Sequence, residues 1–174
     1  MARNKKYQHE NSLARRMAVQ ALYQSEITGA KIADLVESDL VIPEEGALPP
    51  YAVDLIWGVN DHLKEIDARI GSVSENWSVS RMPIVDRAIL RAAVCEMYWF
   101  DEIPVSVSIN EAVELAKAFG GEDESARFIN GVLGRLSRAD EAELAELIGS
   151  AEEALAEADS DQSDSGVQGG VIED

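Results

Sequence analysis

The sequence predicts an all-α protein, and three observations carry that reading. Apolar residues recur at steps of three and four along most of the chain. No stretch alternates apolar and polar residues long enough to make a strand. The prolines fall between the periodic segments, where they mark loops and helix starts. The 174 residues fit one domain with appendages, and a hydrophobic content of 46% is enough for a packed core.

Ser12 is suited to cap a helix starting at Leu13, with Leu13, Met17 and Ala21 as its stripe and Ala18 and Leu22 beside them. Gly29, after Thr28, closes that helix. KIADLVESDL (31–40) reads as a short second helix, and VIPEEGALPP (41–50) as a loop. From Tyr51 onward, Ile56, Val59, Leu63, Ile66 and Ile70 define one amphipathic helix, widened by Trp57 and ended by Gly71 and the serines after it. Pro83 fits the first position of the next helix. That helix places Val85, Ala88, Ile89, Ala92 and Cys95 on one side and Arg87 and Arg91 on the other.

Ile103-Pro104 marks a break. Ser108 and Glu111 then form S-x-x-E, the pattern of a capping box. Ile109, Ala112, Val113, Ala116 and Phe119 make the stripe of the helix that follows, and Gly120-Gly121 stops it. Residues 123–137 restart with Phe128, Ile129, Val132, Leu133 and Leu136. The total is six or seven helices. Residues 142–159 keep helical propensity, while DSDQSDSGVQGGVIED (159–174) lacks apolar spacing and is expected to be disordered. The domain organisation is therefore a basic arm over 1–12, a helical domain over 13–138, and an acidic tail over 139–174.

Composition excludes several function classes. No apolar run is long enough to span a membrane, no signal-peptide core follows the N-terminus, and one cysteine rules out an internal disulfide framework. These features fit the cytoplasm. His9 and His62 lie at no metal-ligand spacing from each other or from Cys95. Cys95 sits on an apolar stripe and reads as a buried thiol. Nucleotide-binding glycine motifs are absent. Glu114 and Lys117 read as a surface pair, Asp86 and Arg91 as a solvated face, and Trp57, Trp77 and Trp99 as core. Neither a cofactor nor catalysis is expected.

The charge distribution is informative. The net charge is -18, yet twelve of the 33 acidic side chains lie in residues 140–174, which hold no Lys or Arg. Residues 1–24 carry Arg3, Lys5, Lys6, Arg15 and Arg16 against Glu10 alone. Charges are screened over about 10 Å, so a local basic patch can dock an anion on an acidic protein. Tyr7 and Tyr23 offer faces on which unpaired bases can stack.

ARRMAVQALYQ (14–24), IWGVNDHLKEID (56–67), WSVSRMPIVDRAILRAAVCEM (77–97) and IPVSVSINEAVELAKAFGGEDESARFINGVLGRL (103–136) together resemble the NusB family of transcription antitermination factors. The resemblance implies two small helical subdomains, an N-terminal three-helix group and a C-terminal bundle. It implies no catalysis. It also implies a partnership with ribosomal protein NusE and binding to single-stranded boxA-type RNA, which helps RNA polymerase resist termination, notably in ribosomal RNA operons.

In that family an arginine-rich segment opens the first helix and touches RNA. Arg15 matches a family arginine, while Asn11, Ser12 and Leu13 stand where further arginines are usual. Arg3, Lys5, Lys6, Arg16, Tyr23 and Arg81 complete the RNA-contacting set. Tyr23, Asp86, Arg87 and Asp123 are expected to meet NusE. Reversing Arg15 is expected to weaken RNA binding and leave the fold intact. A second reading is a protein-interaction module or homodimer with weak RNA affinity of its own. NusB-like domains also precede ribosomal RNA methyltransferases, but no cofactor-binding βαβ unit follows here.

Overall fold

The computed structural model describes residues 2–37, 46–74, 77–120 and 123–150, the side chains of 2–10 and 120 excepted. Seven α-helices and one 3-10 turn follow in order: α1 (Ala2–Thr28), α2 (Ile32–Glu37), α3 (Pro50–Asp61), α4 (Leu63–Val73), the turn Val79–Arg81, α5 (Ile84–Trp99), α6 (Val105–Gly120) and α7 (Asp123–Leu136). Residues 141–150 are also helical. No strand occurs among the described residues.

α5 organises the molecule. It packs against α1 and α3 on one side and α4, α6 and α7 on the other. Its sequence explains this, since Ala88, Ile89, Leu90, Ala92, Ala93, Val94 and Cys95 are all buried, apolar nearly all round. The N-terminal group of α1–α3 and the C-terminal bundle of α4–α7 therefore share one core through α5. At the α3–α5 contact a Cβ on Gly58 would meet the Cys95 Sγ at 2.8 Å, so only glycine permits that approach.

Several expectations change. α1 begins at Ala2, not after a cap at Ser12, and the backbone of the expected arm is helical. RNKKYQHEN contains no proline or glycine to stop a helix there. Leu13 is 44% exposed; the buried stripe is Ala14, Met17, Ala18, Ala21 and Leu22. The helix predicted from Tyr51 kinks at His62, whose ring stacks on Trp99 at 4.3 Å, and the kink turns Leu63 outward. Gly29, at φ 70, closes α1 as expected.

The capping box is not one. α6 starts three residues earlier than Ser108, and Pro104 O accepts the Val107 and Ser108 amides. Ser108 is thus a buried residue within the first turn of α6, not its cap, and donates its hydroxyl to Glu96. Trp77 is 50% exposed, not core. The expected tail also begins inside the fold. Asp140 Oδ1 accepts the Glu143 amide at 2.7 Å, capping the last helical segment, whose Leu144 is 1% exposed. Residues 151–174, which include the stretch 159–174 expected to be disordered, lie outside the described residues.

Candidate nucleic-acid and partner interface

α1 carries a second stripe opposite its core face. Leu13, Arg16, Gln20, Tyr23 and Ile27 step by 3, 4, 3 and 4 residues, which places them on one line down the helix. Leu13, Tyr23 and Ile27 are exposed large apolar side chains, and Arg16 is exposed among them. Such an alignment makes this face a candidate surface for a partner. Arg16 lies over the Phe119 ring of α6 at 5.5 Å, so the stripe continues onto that helix. Gln20 Oε1 is buried with no hydrogen-bond partner among the described residues.

Arg15 has a different fate from its neighbour. It is buried, its Nε donates to Glu96 Oε1 at 2.7 Å, and Nη1 lies 3.5 Å from Glu111 Oε2. Glu96 also accepts the Tyr51 and Ser108 hydroxyls, so one carboxylate ties α1, α3 and α6 to α5. Burial opposes the Arg15 charge, but the Glu96 carboxylate outweighs it and holds the guanidinium pKa above its ordinary value. Burial, reinforced by the bond to Glu96, pushes the Tyr51 hydroxyl up as well.

The C-terminal end of α1 forms a corner with the starts of α5 and α7. Glu26 pairs with Arg87 and Arg91, and Arg91 grips Asp67 through two bonds of 2.8 and 2.7 Å. Arg87 also donates to Val79 O at 2.9 Å, which fixes the 3-10 turn carrying exposed Arg81. Asp86 accepts the Ser125 hydroxyl at 3.2 Å and so joins α5 to the first turn of α7, where Asp123 is exposed. Burial raises the Asp86 pKa, while the Ser125 bond opposes the shift.

The structure thus sorts the predicted residues. Arg16, Tyr23, Arg81 and Asp123 are accessible. Arg15, Asp86 and Arg87 are buried and bonded within the protein, and Asp86 with Arg91 is not the solvated face expected. Their burial follows from their partners Glu96, Glu111, Glu26 and Ser125 on other helices. The side chains of Arg3, Lys5 and Lys6 lie outside the described residues. Leu13, Gln20 and Ile27 were missed, although their period is in the sequence. Cys95 is buried, with its thiol pushed up to about 12 by burial, helped by the Glu96 and Asp61 charges, and so is poorly suited to act as a nucleophile.

Comparison with known proteins identifies the scaffold. The profile of the NusB family matches residues 12–138. The chain belongs to the NusB family. It is similar to the transcription antitermination protein NusB of Halalkalibacterium halodurans, 46% identical over 127 residues, covering 73% of this chain and 92% of the relative. That of Bacillus subtilis is 41% identical over 123 residues, covering 71% and 91%. Among solved structures, NusB of T. maritima superposes with TM-score 0.66 at 31% identity, covering 78% of this chain and 96% of that one. A structure of antitermination factors NusB and NusE in complex with dsRNA superposes with TM-score 0.65 at 25% identity, covering 76% and 98%.

The NusB match ends at Arg138, so the buried Leu144 lies beyond the shared region. Among the described residues, no helix is long and apolar enough to cross a membrane.

Proposed function

We propose that this NusB-family protein is a transcription antitermination adaptor. It binds boxA-type single-stranded RNA together with ribosomal protein NusE and helps RNA polymerase resist termination, notably in ribosomal RNA operons. It acts in the cytoplasm by binding and not by catalysis. Family membership supports the role, and the exposed α1 stripe is the observation that carries its location.

In this reading Arg16 and Arg81 contact phosphates, and Arg3, Lys5 and Lys6 supply further charges to the same RNA. Tyr23 stacks on an unpaired base. Leu13, Ile27 and Asp123 belong to the surface that NusE covers. Arg15, Asp86 and Arg87 act indirectly, by fixing α1 and α7 on α5. Arginines neutralise phosphates and release counterions, so binding falls with salt.

The test is equilibrium binding of labelled boxA-type RNA at several salt concentrations, with and without NusE. Arg16→Gln and Arg81→Gln should each lower the slope of log affinity against log salt by about 0.7. Tyr23→Ala should cost about 1–3 kcal/mol of RNA binding if one base stacks there. Unchanged slopes and affinity in all three variants would remove the α1 face from the RNA site.

The same stripe supports a second reading, self-association. Leu13, Tyr23 and Ile27 are apolar enough for two copies to pair along α1. Sedimentation at rising concentration, with and without NusE, separates the readings. A dimer that NusE dissociates places both partners on one surface, while a dimer indifferent to NusE favours the interaction-module reading.

A further inference from the structure

A groove lies between α4 and α7, two helices that make no close packing with α1. Its volume is about 270 Å³. Val73, Trp77, Phe128 and Val132 wall it, and Arg127 and Arg135 stand at its rim. Trp77 is the largest exposed apolar side chain among the described residues. Arg135 is oriented by a bond from Nη1 to Val73 O at 2.8 Å. Among the described residues Arg127 pairs only with Asp123, 3.9 Å away and equally exposed, so it is loosely held. An aromatic and aliphatic floor beneath two guanidinium groups suits a short peptide with aliphatic side chains next to carboxylates.

The chain supplies such a segment. Residues 151–174 hold acidic side chains and no Lys or Arg. Within them, two adjacent β-branched apolar residues are followed directly by two carboxylates only at Val171, Ile172, Glu173 and Asp174. In an extended conformation, side chains alternate. Ile172 and Asp174 then share one face, and Val171 and Glu173 the other, so either face offers one apolar group and one acid.

Reach permits the contact. The chain leaves α7 alongside α4, where Arg69 pairs with Glu141 one turn from Val73. The stretch between residues 150 and 171 can extend to about 70 Å, more than the width of a domain this size. Tethering turns docking into an intramolecular event at high effective concentration, so weak contacts suffice.

We propose that the segment Val171–Asp174 docks in cis in the α4–α7 groove, its aliphatic side chains against Trp77 and Phe128 and its carboxylates against Arg127 and Arg135. The groove lies apart from the α1 stripe, and the docking does not depend on the RNA reading. It occupies an exposed apolar surface and seats the end of the acidic stretch away from the α1 cations.

Nuclear magnetic resonance on the full chain and on a chain ending at Gly166 tests this. The Trp77 indole and Gly131 amide signals should differ between the two. A synthetic peptide of residues 167–174 added to the shortened chain should move both signals back toward their full-chain positions. In the full chain, Arg127→Glu should give the shortened chain's signals, and adding Glu173→Arg with Asp174→Arg should restore them. Far-UV circular dichroism checks that each variant keeps its helices. Identical Trp77 and Gly131 signals in the two chains would overturn the proposal. So would a difference that Arg127→Glu leaves in place. If single-stranded RNA moves these signals in the shortened chain and the peptide does not, the groove is a nucleic-acid surface and the proposal fails.

Discussion

The Arg15 guanidinium is held between Glu96 and Glu111, whereas that of Arg16 lies over Phe119 at the surface. One position along a helix turns a side chain by about 100°, which separates a structural cation from an accessible one. The two are therefore expected to fail differently. Removing one partner of a buried ion pair leaves an uncompensated charge and typically costs about 3–5 kcal/mol. Arg15→Ala should lose stability of that order in denaturant unfolding, and Arg15→Glu more, since it faces Glu96. This replaces the expectation that reversing Arg15 spares the fold. Arg16→Ala should change stability little and weaken RNA binding.

Asp86 gives a pH-dependent prediction at the same scale. Burial raises its pKa, so the folded state keeps the proton to higher pH than the unfolded chain. Ionised Asp86 therefore lowers stability above that raised pKa. The loss disappears on acidification, once both states hold the proton. Asp86→Asn should raise Tm at pH 7, with a gain that shrinks as pH falls into the carboxylate range. A lower Tm at pH 7 would mean that the charge's favourable place in the first turn of α5 outweighs its burial.

Among the elements, the last helical segment and the α3–α5 contact make the sharpest claims. Leu144 is part of the core although it follows the NusB-matched residues. Leu144→Ala should cost about 2–5 kcal/mol, as for other buried leucines. A chain ending at Ser150 should lose at most the weak docking contribution of the tail, and one ending at Ala139 should be clearly less stable. At the α3–α5 contact, Gly58→Ala would drive a Cβ into Cys95 Sγ, and overpacking of this kind costs about 1–3 kcal/mol. Cys95→Ala in the same chain should recover part of that loss, which a double-mutant cycle would measure.

These elements also show what was legible. Among the described residues helix periodicity found the helical segments, though it joined α3 and α4 into one and began α1 too late, because core burial demands the spacing that the sequence displays. It placed Leu13 on the wrong face of α1, since the helix bears apolar residues on two sides and pattern alone does not say which is covered. It read Ser108 as a cap because the S-x-x-E spacing to Glu111 does not reveal that α6 starts one turn earlier, where Ser108 faces Glu96 of α5. At the site, Tyr23, Arg81 and Asp123 came from family resemblance and are accessible. The burial of Arg15, Asp86 and Arg87 depends on partners far away in the sequence, Glu96, Glu26 and Ser125, which no local pattern encodes.

At the scale of the molecule, the acidic composition and the basic first helix are reconciled by position. Much of the negative charge follows Ala139, while Arg16, the accessible cation among the described side chains of α1, lies on its outer stripe. α5 carries both halves of the scaffold, and its ion pairs set α1 in place from behind. In the proposed function the exposed side of α1 is the working surface, and Arg15, Glu26 and their partners position it. One measurement tests this most directly: fluorescence anisotropy of labelled boxA-type RNA, with NusE present, against the full chain and its Arg16→Ala, Tyr23→Ala double variant. The account predicts that the variant loses salt-sensitive RNA affinity by at least tenfold while its unfolding curve is unchanged. Equal affinity for RNA in the two proteins would contradict it.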